Sequence, residues 1–242
     1  MNLSKRLQAV AAQVRSGGVV ADIGCDHGFT IIRLVQDGCA SGGIAMDINE
    51  GPLERARQHI QECGLDQVID VRLSDGTQAL QEGEAQTILI SGIGGGLMER
   101  ILMEHKEVTT SAEELVLSPQ SEIYKVRKAL HALGFCIEQE EMVKDMGKFY
   151  TILRSVPGQE QYDDPIDYLY GRCLIEQRSA DFVEYIRKEK HRVEGVLANM
   201  PHDLPARETL QKEHTQILEV MDRMQIAYNE ETNAKKRPGE PS

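Results

Sequence analysis

The chain has 242 residues, 40% of them hydrophobic, and 27 Lys and Arg stand against 39 Asp and Glu for a formal net charge of −12. A uniformly acidic surface repels phosphates, which sets aside nonspecific nucleic-acid binding, DNA included, and confines any RNA site to a local patch. Cysteines at 25, 39, 63, 136 and 173 form no CxxC pair, no apolar stretch reaches bilayer length, and the amino terminus lacks a secretory hydrophobic region. A disulfide scaffold, a zinc site or any other metal, and a membrane partner are therefore not expected, and a cytoplasmic setting is.

Leu3, Leu7, Val10, Ala11 and Val14 recur at helical spacing and predict an amino-terminal helix over 3–14. From Val19 a short apolar strand runs into a glycine-containing turn, then into the apolar run Phe29, Ile31, Ile32, Leu34, Val35, which suits a helix on a sheet. Strands follow at Ile44–Ile48, Val68–Leu73, Thr87–Ser91 and Leu115–Leu117, each but Val68–Leu73 leading into a helical pattern: 53–63, a helix through 101–103, and 122–133. Two last strands, 136–143 and 148–156, are separated only by Asp145-Met146-Gly147, a hairpin rather than a helical crossover. Alternating strands and helices ending in a hairpin predict an α/β Rossmann-like domain of the class I methyltransferase type, with a mostly parallel seven-stranded sheet, over residues 1–157.

After 157 the pattern is helical alone. Phe182, Ile186, Glu189, Val193, Val196 and Met200 alternate steps of four and three, as do Leu210, His214, Ile217, Met221, Met224 and Tyr228, with Pro201-His202-Asp203-Leu204-Pro205 between them. This predicts an antiparallel coiled-coil domain over 158–231 and a disordered tail over 232–242.

In an open parallel sheet, ligands gather beyond the carboxyl ends of the strands. The first strand ends in Asp22-Ile23-Gly24-Cys25-Asp26-His27-Gly28. Its glycines would let backbone approach a ligand, and its acidic residues would repel a pyrophosphate while suiting the zwitterionic methionine end of S-adenosyl-L-methionine. Asp47, followed by Ile48, closes the second strand, where a carboxylate accepts from ribose hydroxyls. Ser74, Asp75 and Gly76 follow the third, where a carboxylate accepts from the adenine amino group. Ser91 closes the fourth. Asp22, Gly24, Asp26, Gly28, Asp47, Ile48, Ser74, Asp75, Gly76 and Ser91 are thus the candidate cofactor residues. Singly, an Asp at a strand end is as often a cap or turn residue. The Gly92–Gly96 run reads either as room for a bulky base or as a tight turn, Cys25 as packing, and His27 either as a turn histidine or as a residue beside the reacting methyl.

Leu3-Ser4-Lys5-Arg6-Leu7, the 21–28 segment, residues 45–53, Arg72-Leu73-Ser74-Asp75-Gly76, Gly92–Gly96 and Gly147-Lys148-Phe149-Tyr150 together closely resemble the bacterial TrmK family, which methylates N1 of the adenosine at nucleotide 22 of tRNA. The resemblance covers residue 2 to about 156 strongly and weakens in the helical arm. Cys25 stands where the family often has Thr, and Ser118-Pro119-Gln120 where Gln-Pro-Asn is expected. The resemblance implies tRNA as partner and a two-part chain, expected to act as a monomer. N1 of adenine carries a lone pair, so no strong general base is required, and catalysis rests on positioning. Asp26 and His27 are the catalytic candidates, Asp26 stabilising the charge that develops on the base and His27 shaping the pocket. Candidate RNA contacts are Lys5, Arg6, Arg15 and Lys148, with Arg187, Lys188, Lys190 and Arg192 of the arm, although cations outside a helical seam are usually only solvated. Two other readings of the sequence are a methyltransferase of a small molecule and a noncatalytic cofactor-binding scaffold.

Overall fold

A computed structural model describes residues 3–15, 17–201 and 203–226. The expectations placed on His202, Tyr228 and the tail over 232–242 lie outside these residues.

Helix α1 (Lys5–Ala12) starts where the Ser4 hydroxyl accepts the Leu7 amide at 3.3 Å. The chain then alternates β1 (Val19–Ile23), α2 (Phe29–Gln36), β2 (Gly42–Asp47), α3 (Glu50–Glu62), β3 (Ile69–Leu73), β4 (Thr87–Ser91), α4 (Gly95–Glu104), α5 (Lys106–Thr110), β5 (Glu114–Ser118), α6 (Ile123–Ala132), β6 (Phe135–Asp145) and β7 (Lys148–Pro157). The seven strands form one sheet in the order β3-β2-β1-β4-β5-β7-β6. β7 is antiparallel to both of its neighbours, and the remaining pairs are parallel.

Central strands are apolar on both faces because both faces are covered. Ala21, Ile23, Ile88, Ile90, Leu115 and Leu117 pack with Met98 and Leu102 of α4 and Val126 and Leu130 of α6. The alternate residues Val20, Leu89 and Val116 pack on the other face with Val10 of α1, Ile31 of α2 and Leu53 and Ile60 of α3. The period of two along each strand sorts its side chains between these two cores.

The described residues up to 174 form one compact unit and those from 175 on a second, so the first unit runs past the boundary at 157 drawn from the sequence. The reason is a buried ion pair. Arg127 of α6 donates through Nε to Glu140 Oε1 of β6 at 2.7 Å and through Nη1 to the carbonyls of Tyr168 at 2.7 Å and Leu169 at 3.2 Å. That clamp holds a π-helical turn, Asp167–Gly171, which leads into α7 (Arg172–Gln177). At Gly171, with φ +92°, an added Cβ would sit 2.5 Å from Glu140 Oε2. Neither α5 nor these turns was anticipated, since each is too short to show a hydrophobic period.

In the second unit, α8 (Ala180–Asn199) starts at the Ser179 cap, and its Phe182, Ile186 and Val193 are buried. It packs antiparallel on α9 (Ala206–Arg223), with Glu194 accepting from His214 at 3.2 Å and Arg192 pairing with Glu213. Val196, assigned to the seam by its spacing, is 40% exposed. No helix among the described residues is long and apolar enough to cross a membrane.

Candidate active site

Strand order reverses between β1 and β4, and a cavity of about 470 Å³ opens beyond the carboxyl ends of the strands there. Asp22, Gly24, Asp26, Asp47, Ile48, Ser74, Asp75, Gly76 and Ser91 all line it, together with His27. Gly28 does not. Its φ is +70° and an added Cβ would meet Ala56 of α3 at 3.2 Å, so this glycine turns the chain into α2 and lets α3 pack close.

Two backbone amides of the turn, where the glycines were expected to let backbone approach a ligand, are already engaged. The amides of Gly24 and Cys25 both donate to the Met46 carbonyl, at 2.8 and 2.9 Å, stitching β1 to β2. What Gly24 contributes is bare space: its φ is +74° and no atom lies within 4 Å of where a Cβ would be.

Asp22 is buried, and Asp47 stands near enough to repel it. Burial first, and the Asp47 charge second, push its carboxyl up to about 7. No ion pair engages Asp22 among the described residues. A buried carboxylate facing a second carboxylate is a site for a cation, and the sulfonium and ammonium of S-adenosyl-L-methionine are cationic. Burial followed by the Asp22 and Asp47 charges also pushes the Cys25 thiol well above its ordinary range, so Cys25 stays protonated and inert, as packing required.

Asp47 Oδ1 accepts from the backbone and side-chain nitrogens of Asn49, at 2.9 and 3.4 Å. Ile48 and Leu97, 58% and 44% exposed, give the cavity bare apolar surface, which suits the faces of an adenine ring. Ser74 lines the cavity and also shapes the turn: its hydroxyl donates to the Gly76 carbonyl and accepts the Ala79 amide, both at 3.0 Å. Asp75 lies 3.0 Å from Arg100 Nη2, leaving its other oxygen for a ligand amino group.

The opposite wall is built from Ser91, Gly92, Gln120 and Arg6. Arg6 donates through Nη1 to Ser91 Oγ at 3.0 Å, stacks its guanidinium 5.3 Å from the centroid of Tyr150, and donates its backbone amide to Asp145 at 3.1 Å. No carboxylate neutralises that guanidinium among the described residues. Gly92, φ +88°, is required here, since an added Cβ would lie 3.2 Å from Arg6 Nη1. Of the glycines after it, Gly95 serves packing: its Cβ would fall 2.3 Å from the Ser121 carbonyl oxygen. The tight-turn reading therefore holds for this part of the run.

Asp26 adopts φ +47° and reaches Arg55 at 3.3 Å and His27 Nε2 at 3.5 Å. The His27 ring stacks on Phe29, centroids 5.1 Å apart, and its Nδ1 is buried without a hydrogen-bond partner among the described residues. His27 is thus held by ring packing, and its carbonyl meets His59 Nδ1 at 2.9 Å.

The candidate RNA contacts separate. Arg6 belongs inside the cavity. Lys5 neighbours it on α1, and Lys148 opens β7 at the same end of the sheet. Arg15 precedes β1, and its amide donates to Glu114 at the start of β5, so it lies at the opposite end, away from the cavity. In the arm, Lys190 pairs with Glu194 at 2.8 Å and Arg192 with Glu189 and Glu213; Arg187 and Lys188 lie on the same helix.

Sequence reasoning missed Leu97, Arg100 and Ile101, although their spacing along α4 puts them on one helical face, and that face follows the fourth strand end. Asn49 was legible as the neighbour of Asp47. Leu7 and Gln120 line the cavity too: the tertiary fold brings Leu7 there from α1, while Gln120 follows the carboxyl end of β5.

Residues 3–153 match the family model described as a methyltransferase domain. Over 231 residues, 93% of this chain and 95% of the relative, the chain is 31% identical to the tRNA (adenine(22)-N(1))-methyltransferase of Bacillus subtilis. The crystal structure of the B. subtilis M1A22 tRNA methyltransferase TrmK superposes with TM-score 0.83 at 29% identity, covering 91% of this chain and 99% of that one. Streptococcus pneumoniae Sp1610 in complex with S-adenosyl-L-methionine superposes with TM-score 0.84 at 33% identity, covering 91% of this chain and all of that one.

Proposed function

This chain belongs to the methyltransferase-domain family, among the tRNA (adenine(22)-N1)-methyltransferases, and from that membership we infer its reaction: it transfers a methyl group from S-adenosyl-L-methionine to N1 of the adenosine at nucleotide 22 of tRNA. The observation that carries the reading is the gathering of Asp22, Asp47 and Asp75 around one cavity at the switch point of the sheet, in a chain that aligns over 93% of its length with a tRNA methyltransferase.

Bound S-adenosyl-L-methionine supplies an electrophilic methyl group on a sulfonium, and N1 of adenine accepts it through its own lone pair. The protein's contribution is placement and charge. Asp22 faces the cationic amino-acid end, Asp47 accepts from the ribose hydroxyls, Asp75 from the adenine amino group, and Ile48 and Leu97 cover the ring. Arg6 receives the amino-acid carboxylate, being the guanidinium in the cavity that no carboxylate has claimed. Asp26 lies where it favours the positive charge that arrives on the base, and His27 packs the floor beside it. No proton has to be removed from N1, which agrees with a cavity whose thiol is inert.

We propose that the enzyme works as a monomer, and its tRNA substrate places it in the cytoplasm. Lys5 and Lys148, at the cavity end of the sheet, take phosphates, and the helical hairpin offers Arg187, Lys188, Lys190 and Arg192. Incubation with labelled S-adenosyl-L-methionine and an unmodified tRNA transcript, followed by nucleotide mapping, tests the reading. Label confined to the adenosine at nucleotide 22 is expected, and label elsewhere or none at all would refute it.

A further inference from the structure

The β6–β7 hairpin is far longer than the sheet needs. Leu117 of β5 pairs with Leu153 of β7, yet β7 begins at Lys148, so the hairpin runs about 13 Å beyond Ser118 at ~3.3 Å per residue. It overhangs the end of the sheet where the cavity opens. The overhang is fastened there, because Asp145 at its tip accepts the backbone amide of Arg6, which lines the cavity.

At the tip, Asp145 pairs with Lys148 across a two-residue loop, Met146-Gly147, with φ +47° and +79°. Two consecutive positive φ values define the loop that favours Asn-Gly or Gly-Gly. Methionine is a poor choice on both local grounds. Its side chain resists the left-handed conformation, and it is 97% exposed, packing on nothing. Asp145 and Gly147 flank it, Asp145 being held by the Arg6 amide, and two positions away on either side stand Lys144, 5.6 Å from the centroid of Phe149, and Lys148. An apolar, unbranched side chain with a lysine two residues to either side, on a ribbon fastened to α1 beside a cavity that takes a nucleobase, matches the apolar wedges that proteins insert between stacked bases.

We propose that Met146 is the wedge that holds the target nucleotide out of the tRNA stack, filling the space the adenine leaves when it enters the cavity. The inference rests on the tRNA reading above. N1 of a stacked base is out of reach, and extrusion gives up stacking that an inserted side chain recovers. Met146 is a positioning residue: it touches neither the cofactor nor N1. The left-handed tip keeps the side chain pointing off the end of the ribbon instead of back onto the sheet.

The test uses the full chain and tRNA carrying 2-aminopurine at nucleotide 22, whose fluorescence rises on unstacking. Wild-type protein is first shown to methylate adenosine 22; failure at that step refutes the tRNA reading and leaves nothing for a wedge to do. Given that activity, Met146→Asn is expected to fold with an equal or higher Tm, bind S-adenosyl-L-methionine with unchanged Kd, lose the fluorescence rise, and drop at least about tenfold in kcat/KM for tRNA. Met146→Leu, apolar and of similar volume, is expected to retain both the rise and the rate. A full fluorescence rise with Met146→Asn, or equal losses with Asn and Leu, would overturn the proposal.

Discussion

Asp22 is a carboxylate buried beside another carboxylate, and its raised pKa of about 7 has two consequences of opposite sign. In the ligand-free protein a carboxyl that is raised above its unfolded value destabilises the ionised fold, so stability falls as pH climbs from about 4 to about 7. Asp22→Asn should remove that slope in thermal melts. A cationic ligand selects the ionised form, so cofactor affinity should rise about tenfold per pH unit up to about pH 7 and level off above it. Calorimetric titration across that range checks this, and Asp22→Asn should bind more weakly with a flat profile. Arg6 offers a second test on the same wall. Arg6→Gln should weaken S-adenosyl-L-methionine binding about tenfold and leave 5′-methylthioadenosine, which has the nucleoside without the carboxylate, unaffected. Equal losses for the two ligands would place the Arg6 contact elsewhere.

At the scale of elements, the strand ends were the most legible part of the sequence. β4 starts and stops where its apolar run does, and the aspartates at the ends of β1, β2 and β3 reach the cavity as read. The glycines were harder, because the letter is the same whether it opens a pocket, turns a chain or lets two backbones touch. Gly24 does the first, Gly28 the second, Gly95 the third, and only the neighbouring atoms distinguish them. Gly95→Ala should therefore cost about 1–3 kcal/mol and shift α4 away from Ser121, disturbing the cavity face of Leu97, Arg100 and Ile101. A lower Tm together with weaker cofactor binding is the expected outcome. The clamp on residues 167–171 was illegible for another reason: Arg127 and Glu140 look like surface charges in sequence, yet both are buried. Arg127→Met leaves Glu140 as an uncompensated buried charge and should destabilise by about 3–5 kcal/mol, and the double variant Arg127→Met with Glu140→Leu should recover much of that. Chemical denaturation of the three variants checks the pattern.

For the molecule as a whole, the acidic balance of −12 means that tRNA is not held by bulk charge. Recognition has to come from a few placed cations and from shape, which is how folded RNA is generally read. Removing everything after residue 178 keeps the unit that carries the cavity, so cofactor affinity should survive while kcat/KM for tRNA falls about tenfold or more. Unchanged tRNA kinetics would show that the helical hairpin takes no part in recognition. The central step is methyl transfer to one ring nitrogen by a protein that positions it without a general base. The most direct measurement compares tRNA transcripts that differ only at nucleotide 22, one with adenosine and one with 1-deazaadenosine, which keeps the shape and amino group but lacks the N1 lone pair. Methyl transfer to the first and none to the second is predicted, and equal transfer to both would contradict the account.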